Sequence, residues 1–187
     1  AALLMLFPAS EALVAVINRL VSESARPARL PRLSLAAGIA AEHRVMVVIP
    51  AMLNSPASTA ALAHRLLLHH LANPEREAQF ALLTDWADAD TAQAAGDEAL
   101  LADATQRIAE LNARHPREDN IDAPAAPRFI LLHRERRFSD SEQRWIGWER
   151  KRGKLEQLIG ALAQPGSGDA FLNLGELSRI APGTRYV

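Results

Sequence analysis

Three short apolar runs constrain this chain more than any other feature: RVMVVIP (44–50), FALLTD (80–85) and RFILLH (128–133). Each has the length of a strand and lacks polar–apolar alternation, so it suits a strand covered on both faces. Helical patterns lie between them. Ser55 or Ser58 can cap a helix with Pro56 in its first turn, ending near Asn73 and Pro74. Leu101, Ala104, Ile108 and Leu111 mark an amphipathic helix over 97–115. Leu155, Leu158, Ile159 and Leu162 form an i, i+3, i+4, i+7 stripe on another helix, which ends near QPGSG, and TRYV (184–187) begins a fourth strand. Strands alternating with helices predict an α/β fold, a Rossmann-like parallel sheet with flanking helices and right-handed crossovers. Ligands of such sheets bind beyond the carboxyl ends of the strands. Pro50, Asp85 and His133 sit at or just past those ends.

A chain of 187 residues, 49% of them hydrophobic, can bury one sizeable core. It has no cysteine, which excludes disulfides and thiolate metal sites. The net charge of −1 gives no bulk reason to bind nucleic acid, yet it hides two opposed regions. Residues 75–122 hold twelve acidic and four basic side chains; residues 128–154 hold nine basic and four acidic ones. Such regions face a charged ligand or each other. The opening AALLMLFPASEALVAVINRLV is apolar but interrupted by Pro8, Glu11, Asn18 and Arg19, and it lacks the basic start of a signal peptide. It reads either as the end of a membrane or interfacial helix or as an amphipathic helix packed on the domain. With no initiator methionine, the chain is expected to be a piece of a longer protein.

Asp85, ending an apolar strand, can accept a hydrogen bond from a ligand N–H, or it can cap a loop. Asp88 and Asp90 form a D-x-D that could hold a hard cation against a diphosphate. However, the motif is common by chance, and here it lies in an Asp- and Ala-rich loop that suggests mobility. His64, His69 and His70 are offset by five and six positions, unlike the i, i+4 pair of a helical metal site. G-x-S-x-G, Walker A and G-x-G-x-x-G patterns are absent. RWIGWERKRGKLEQL (144–158) carries Trp145, Trp148 and four cations around Gly153. It reads as a nucleic-acid patch, a solvated helix start or a phosphate site. Cations at a helix start oppose its dipole unless an anion is present, and Gly153 lets a ligand approach the backbone, so the phosphate reading is favoured.

VMVVIPAMLNS, FALLTD, LLHRERRFSDSEQRWIGWERKRGKLEQL and RYV occur in the order found in cyclic β-1,2-glucan synthases, which are large bacterial inner-membrane enzymes. From about Leu30 onward the chain resembles the first part of their glycosyltransferase domain, of the nucleotide-sugar transferase fold called GT-A. The resemblance implies a helical segment over 1–29, membrane-proximal in the parent protein. It implies that 30–187 is the N-terminal nucleotide-binding part of an incomplete GT-A domain. The parent would be an inverting glycosyltransferase on the cytoplasmic face of the inner membrane. It would take UDP-glucose and a growing β-glucan chain, need Mg²⁺ or Mn²⁺, and have no nucleic-acid partner.

Carried over by position, Pro50 and Ala51 form a proline-led turn on the nucleotide, and Asp85 holds the uracil N–H. Lys151 and Gly153 match a K-x-G segment against the sugar diphosphate, with Arg152 and Lys154 adjacent. Ala51 stands where threonine is common, and Glu156 where asparagine is common. The family's metal-binding D-x-D and its general base are expected beyond Val187, so no catalytic or metal residue is assigned, and Asp88 and Asp90 are not the family's pair. The isolated piece is expected to be inactive and to dimerise through an open edge of its first strand. The alternative is a non-catalytic α/β module that binds a nucleotide or another anion or regulates partners.

Overall fold

A computed structural model describes residues 2–24, 38–117, 126–164 and 170–187. The chain divides into two compact units, 1–36 and 37–187. The 29/30 boundary, most of the connector PREDNIDAPAAP and most of QPGSG lie outside the described residues.

The first unit holds α1 (Ala2–Ser24). From Met5 to Ser24 it is long and apolar enough to cross a membrane by length and composition, although its apolar run is interrupted. Every described side chain of α1 is exposed, including Phe7, Leu13, Ile17 and Leu20. Pro8 sits inside the helix, and Arg19 pairs with Glu23 one turn on at 2.9 Å.

The second unit is α/β, as the alternation predicts. Strands β1 (Val45–Leu53), β2 (Ala78–Trp86) and β3 (Phe129–His133) form a parallel sheet in that order. The register places Ile49 beside Leu82, Leu82 beside Leu131 and Thr84 beside His133. β2 is central and all nine of its residues are buried. Helices α2 (Pro56–Ala72) and α3 (Asp97–Arg114) serve one face of the sheet, and α4 (Arg150–Ala163) serves the other. Side-chain alternation along β2 divides the core accordingly. Phe80, Leu82 and Trp86 join Leu66, Ile108, Leu111, Phe129 and Leu131, while Ala81 and Leu83 join Met46, Ile130, Leu132 and Leu158. Each large side chain buried this way contributes roughly 1.5–3 kcal/mol. The polar Gln79 is buried in β2 because its amide is satisfied: it donates to the carbonyls of Pro127 and Arg179 and accepts from the amide of Ala181.

Ser55 caps α2 in a capping box with Ser58, and Pro56 occupies the first turn. The first strand, however, does not end at Pro50; it runs on to Leu53. Its backbone explains why. The amide of Val45 donates to Glu77 on the β2 side, and the next amide, that of Met46, donates outward to the Tyr186 carbonyl. Counting by two, the nitrogen of Pro50 faces outward as well, where its missing N–H breaks no bond to β2. Tyr186 forms a parallel bridge with Val45 on that outer side. The terminal TRYV thus begins to pair beside β1, giving the spatial order β3, β2, β1, Tyr186.

The sequence reading shows no strand between β3 and α4, yet a small antiparallel hairpin forms there, β4 (Arg137–Ser139) with β5 (Arg144–Ile146). The Asp-rich loop after β2 is also not free. Ala89 and Trp145 exchange both backbone hydrogen bonds, each 2.9 Å, which pins the loop to β5.

Candidate functional site at the carboxyl end of the sheet

Three of the seven expected nucleotide-sugar residues meet at one point. Asp85, 1% exposed, points to the α4 side of β2. It accepts from Lys154 Nζ at 2.9 Å and from Arg134 at 2.7 Å. The same Lys154 ammonium donates to the Ala51 carbonyl at 2.7 Å. Burial holds the Lys154 amine below its ordinary range, with the bond to Asp85 acting against that shift. Arg134 also donates to the carbonyls of Trp148 and Arg150 and to Gln157 Oε1 at 2.8 Å. One carboxylate and two cations thus tie the start of α4 to the ends of β1, β2 and β3. The register brings this about: Thr84 lies opposite His133, so Asp85 and Arg134, one step on in each strand, emerge together.

The other expected residues are placed differently. Pro50 lies inside β1, and Ala51 contributes its carbonyl to the cluster. Gly153 is buried in the first turns of α4, where an added Cβ would lie 2.5 Å from the Trp148 carbonyl oxygen. The glycine therefore serves close packing of the turn against the helix. Lys151 and Arg152 are exposed on α4, and Arg152 pairs with Glu156 at 2.8 Å. Lys154, expected to face a donor alongside Lys151 to Gly153, is 3% exposed and faces the core. Gly147 covers Asp85: a Cβ there would meet Asp85 Oδ2 at 2.8 Å. The turn that follows is strained, with φ of 48° at Glu149 and 21° at Arg150, both in left-handed space that side chains avoid.

The opposed charges face each other across this end of the sheet. Besides Asp85 with Arg134, Asp97 pairs with Arg136, Asp88 with Arg150, and Asp90 with Arg144 at 3.2 Å. Arg136 is buried and also donates to the Ala87 carbonyl at 2.6 Å and the Ala92 carbonyl at 3.2 Å. Its guanidinium stands over Trp86, and its bond holds the Asp97 carboxyl below the usual carboxylate range. Asp88 and Asp90, each paired with an arginine, do not fit a cation site. No group of three metal-ligating side chains forms among the described residues. On the other face of the sheet, His133 is fully buried with Nδ1 2.8 Å from Thr84 Oγ1 and its ring edge-on to Trp86. Burial pushes its pKa down to about 4. Of the expected histidines on α2, His70 is buried between Phe80 and Phe129 and serves packing, while His64 and His69 are exposed.

Sequence reasoning missed Arg134, Arg136 and Gly147. The first two stand in HRERR, directly after a buried strand, and that position was itself a signal. Buried arginines at a strand end need carboxylate partners, and the acidic 75–122 region supplies them.

No protein family's sequence profile matches the chain. The cyclic β-(1,2)-glucan synthase NdvB of Rhizobium meliloti strain 1021 is 39% identical to it over 185 residues, 99% of this chain. This chain is homologous to a segment of that glucan synthase. It spans 6% of the synthase's length. Because the aligned stretch covers nearly the whole chain, it takes in β1 to β3, the Asp85 cluster and α4 alike.

Proposed function

We propose that this chain forms the nucleotide-binding part of a GT-A glycosyltransferase domain in a cyclic β-1,2-glucan synthase, and that its donor is UDP-glucose. The observation that carries the reading is the 39% identity to a glucan synthase across 99% of the chain. A parallel sheet supports it, since its carboxyl ends are where such folds receive ligands, and so does the position of Asp85 at that end. In the parent enzyme, a carboxylate outside this chain deprotonates the acceptor 2-hydroxyl, which displaces UDP with inversion at the anomeric carbon. In this reading the exposed Lys151 and Arg152 on α4 bind the donor diphosphate, while Asp85, whose two oxygens are taken by Arg134 and Lys154 beneath Gly147, holds the carboxyl end of the sheet in place rather than touching the nucleobase. The described residues offer no ligand set for the divalent metal expected of such an enzyme, so no step is assigned to it here. The apolar α1 fits a membrane-proximal segment, with the domain on the cytoplasmic face.

Calorimetry with UDP and UDP-glucose tests the donor site. We expect micromolar binding, weakened up to about fivefold by Lys151→Ala, whose exposed side chain can be removed without disturbing the fold. Asp85→Ala is a poorer probe, because it also breaks the core network. The absence of UDP binding at millimolar concentrations would sink the reading. Binding to RNA with a steep salt dependence would favour a nucleic-acid patch instead. Glucosyl transfer by the purified chain alone would refute the assignment of the base to another segment.

A further inference from the structure

A cleft of about 540 Å³ opens between the loop after β2, the start of α3 and the β4–β5 hairpin. It lies on the opposite side of β2's carboxyl end from Lys154. Trp86 and Trp145 line it, with Asp97, Glu98, Glu135 and Arg136. Its size falls in the range of small-molecule sites, which combine apolar walls with a few fixed polar groups. The walls are held in place: Arg136 ties the loop at Ala87 and Ala92 to Asp97, and Ala89 is bridged to Trp145.

The lining also selects by charge. Arg136 is neutralised by Asp97, while Glu98 and Glu135 form no ion pair among the described residues. The cleft is therefore net negative and repels a phosphate-bearing ligand. Carboxylates accept hydrogen bonds from hydroxyls, and indoles cover apolar C–H faces. A neutral polyol with C–H faces matches both. We propose that this cleft binds a hexose unit of a neutral glucan, with Trp145 as its apolar wall and Glu98 and Glu135 as hydroxyl acceptors. That the glucan is the enzyme's own β-1,2-linked chain rests on the function proposed above; the hexose class rests on the cleft itself.

The test is an NMR titration of this chain with a short linear β-1,2-linked gluco-oligosaccharide, following the indole N–H resonances, with UDP titrated separately. The Trp145 resonance is expected to shift saturably. Trp145→Ala should weaken binding about tenfold, and the exposed Glu98→Gln several-fold with the fold unchanged. UDP should neither move Trp145 nor compete. No shift at Trp145, unchanged affinity in both variants, or displacement of the sugar by UDP would each overturn the cleft. Sugar binding without any UDP binding would leave the cleft standing while removing the donor site. Equal binding of a β-1,4-linked oligosaccharide would support a hexose cleft and count against the glucan reading.

Discussion

Asp85 is the residue on which the carboxyl end of the sheet depends. It faces two buried cations, Arg134 and Lys154, each 4% exposed at the side chain. Removing the carboxylate leaves both charges unpaired in the core, a change that costs about 3–5 kcal/mol. Asp85→Ala should therefore lower stability by that amount in urea denaturation; a loss under about 1 kcal/mol would show that the pairs are solvated. His133 makes a different prediction. Its folded pKa of about 4 lies below the ordinary 6.5, so the unfolded chain binds more protons between these values. Its stabilising contribution is complete above about pH 6.5 and is lost as pH falls toward 4, on the order of 3 kcal/mol in all. Buried His70, whose pKa is also lowered, acts in the same direction. His133→Gln should therefore flatten the acid limb of a melting-temperature profile without abolishing it, and an unchanged slope would contradict the burial argument.

At the level of elements, α4 shows how one residue type serves two ends. Gly153 and Gly160 lie on the same helix, and alanine is favoured over glycine in helices by about 1 kcal/mol. At Gly160 an added Cβ meets nothing within 4 Å, so Gly160→Ala should raise the melting temperature. At Gly153 the Cβ would lie 2.7 Å from Glu149 Cβ as well as against the Trp148 carbonyl, so Gly153→Ala should cost about 1–3 kcal/mol despite its helical preference. Thermal denaturation of the two variants checks the contrast, and shifts of the same sign would refute it. Helices α2 and α3 were readable because a capping serine and a 3.6-residue stripe are local signals. The end of β1 was not, because proline stops a strand only where its nitrogen would face a partner. Which side Pro50 faces depends on the Val45 and Met46 bonds to other segments. The β4–β5 hairpin escaped notice for a related reason: its strands are three residues each, too short for any periodicity.

Across the whole molecule, two features carry consequences. The outer side of β1 is covered at its start by Tyr186, while the backbone around Val48 and Met52 has no strand partner there among the described residues. Such an edge invites pairing, so the apparent mass in light scattering should rise with concentration; a strict monomer at high concentration would argue against edge pairing. The second feature is charge. The sequence by itself determined that an acidic region over 75–122 is followed by a basic one over 128–154, that three apolar strands alternate with helices, and that Asp85 stands at a strand end. All of these follow from composition and local period. Only the tertiary structure decided that these two regions pair with each other, Arg134 on Asp85, Arg136 on Asp97 and Arg150 on Asp88. It also decided that Lys154 turns inward while Lys151 stays outside. Lys151 and Lys154 lie three positions apart on one helix, and what separates them is direction: Lys154 points to the Asp85 carboxylate, while Lys151 points to solvent. That direction is fixed by strand register and by the face on which α4 packs, neither of which a local stretch of chain encodes.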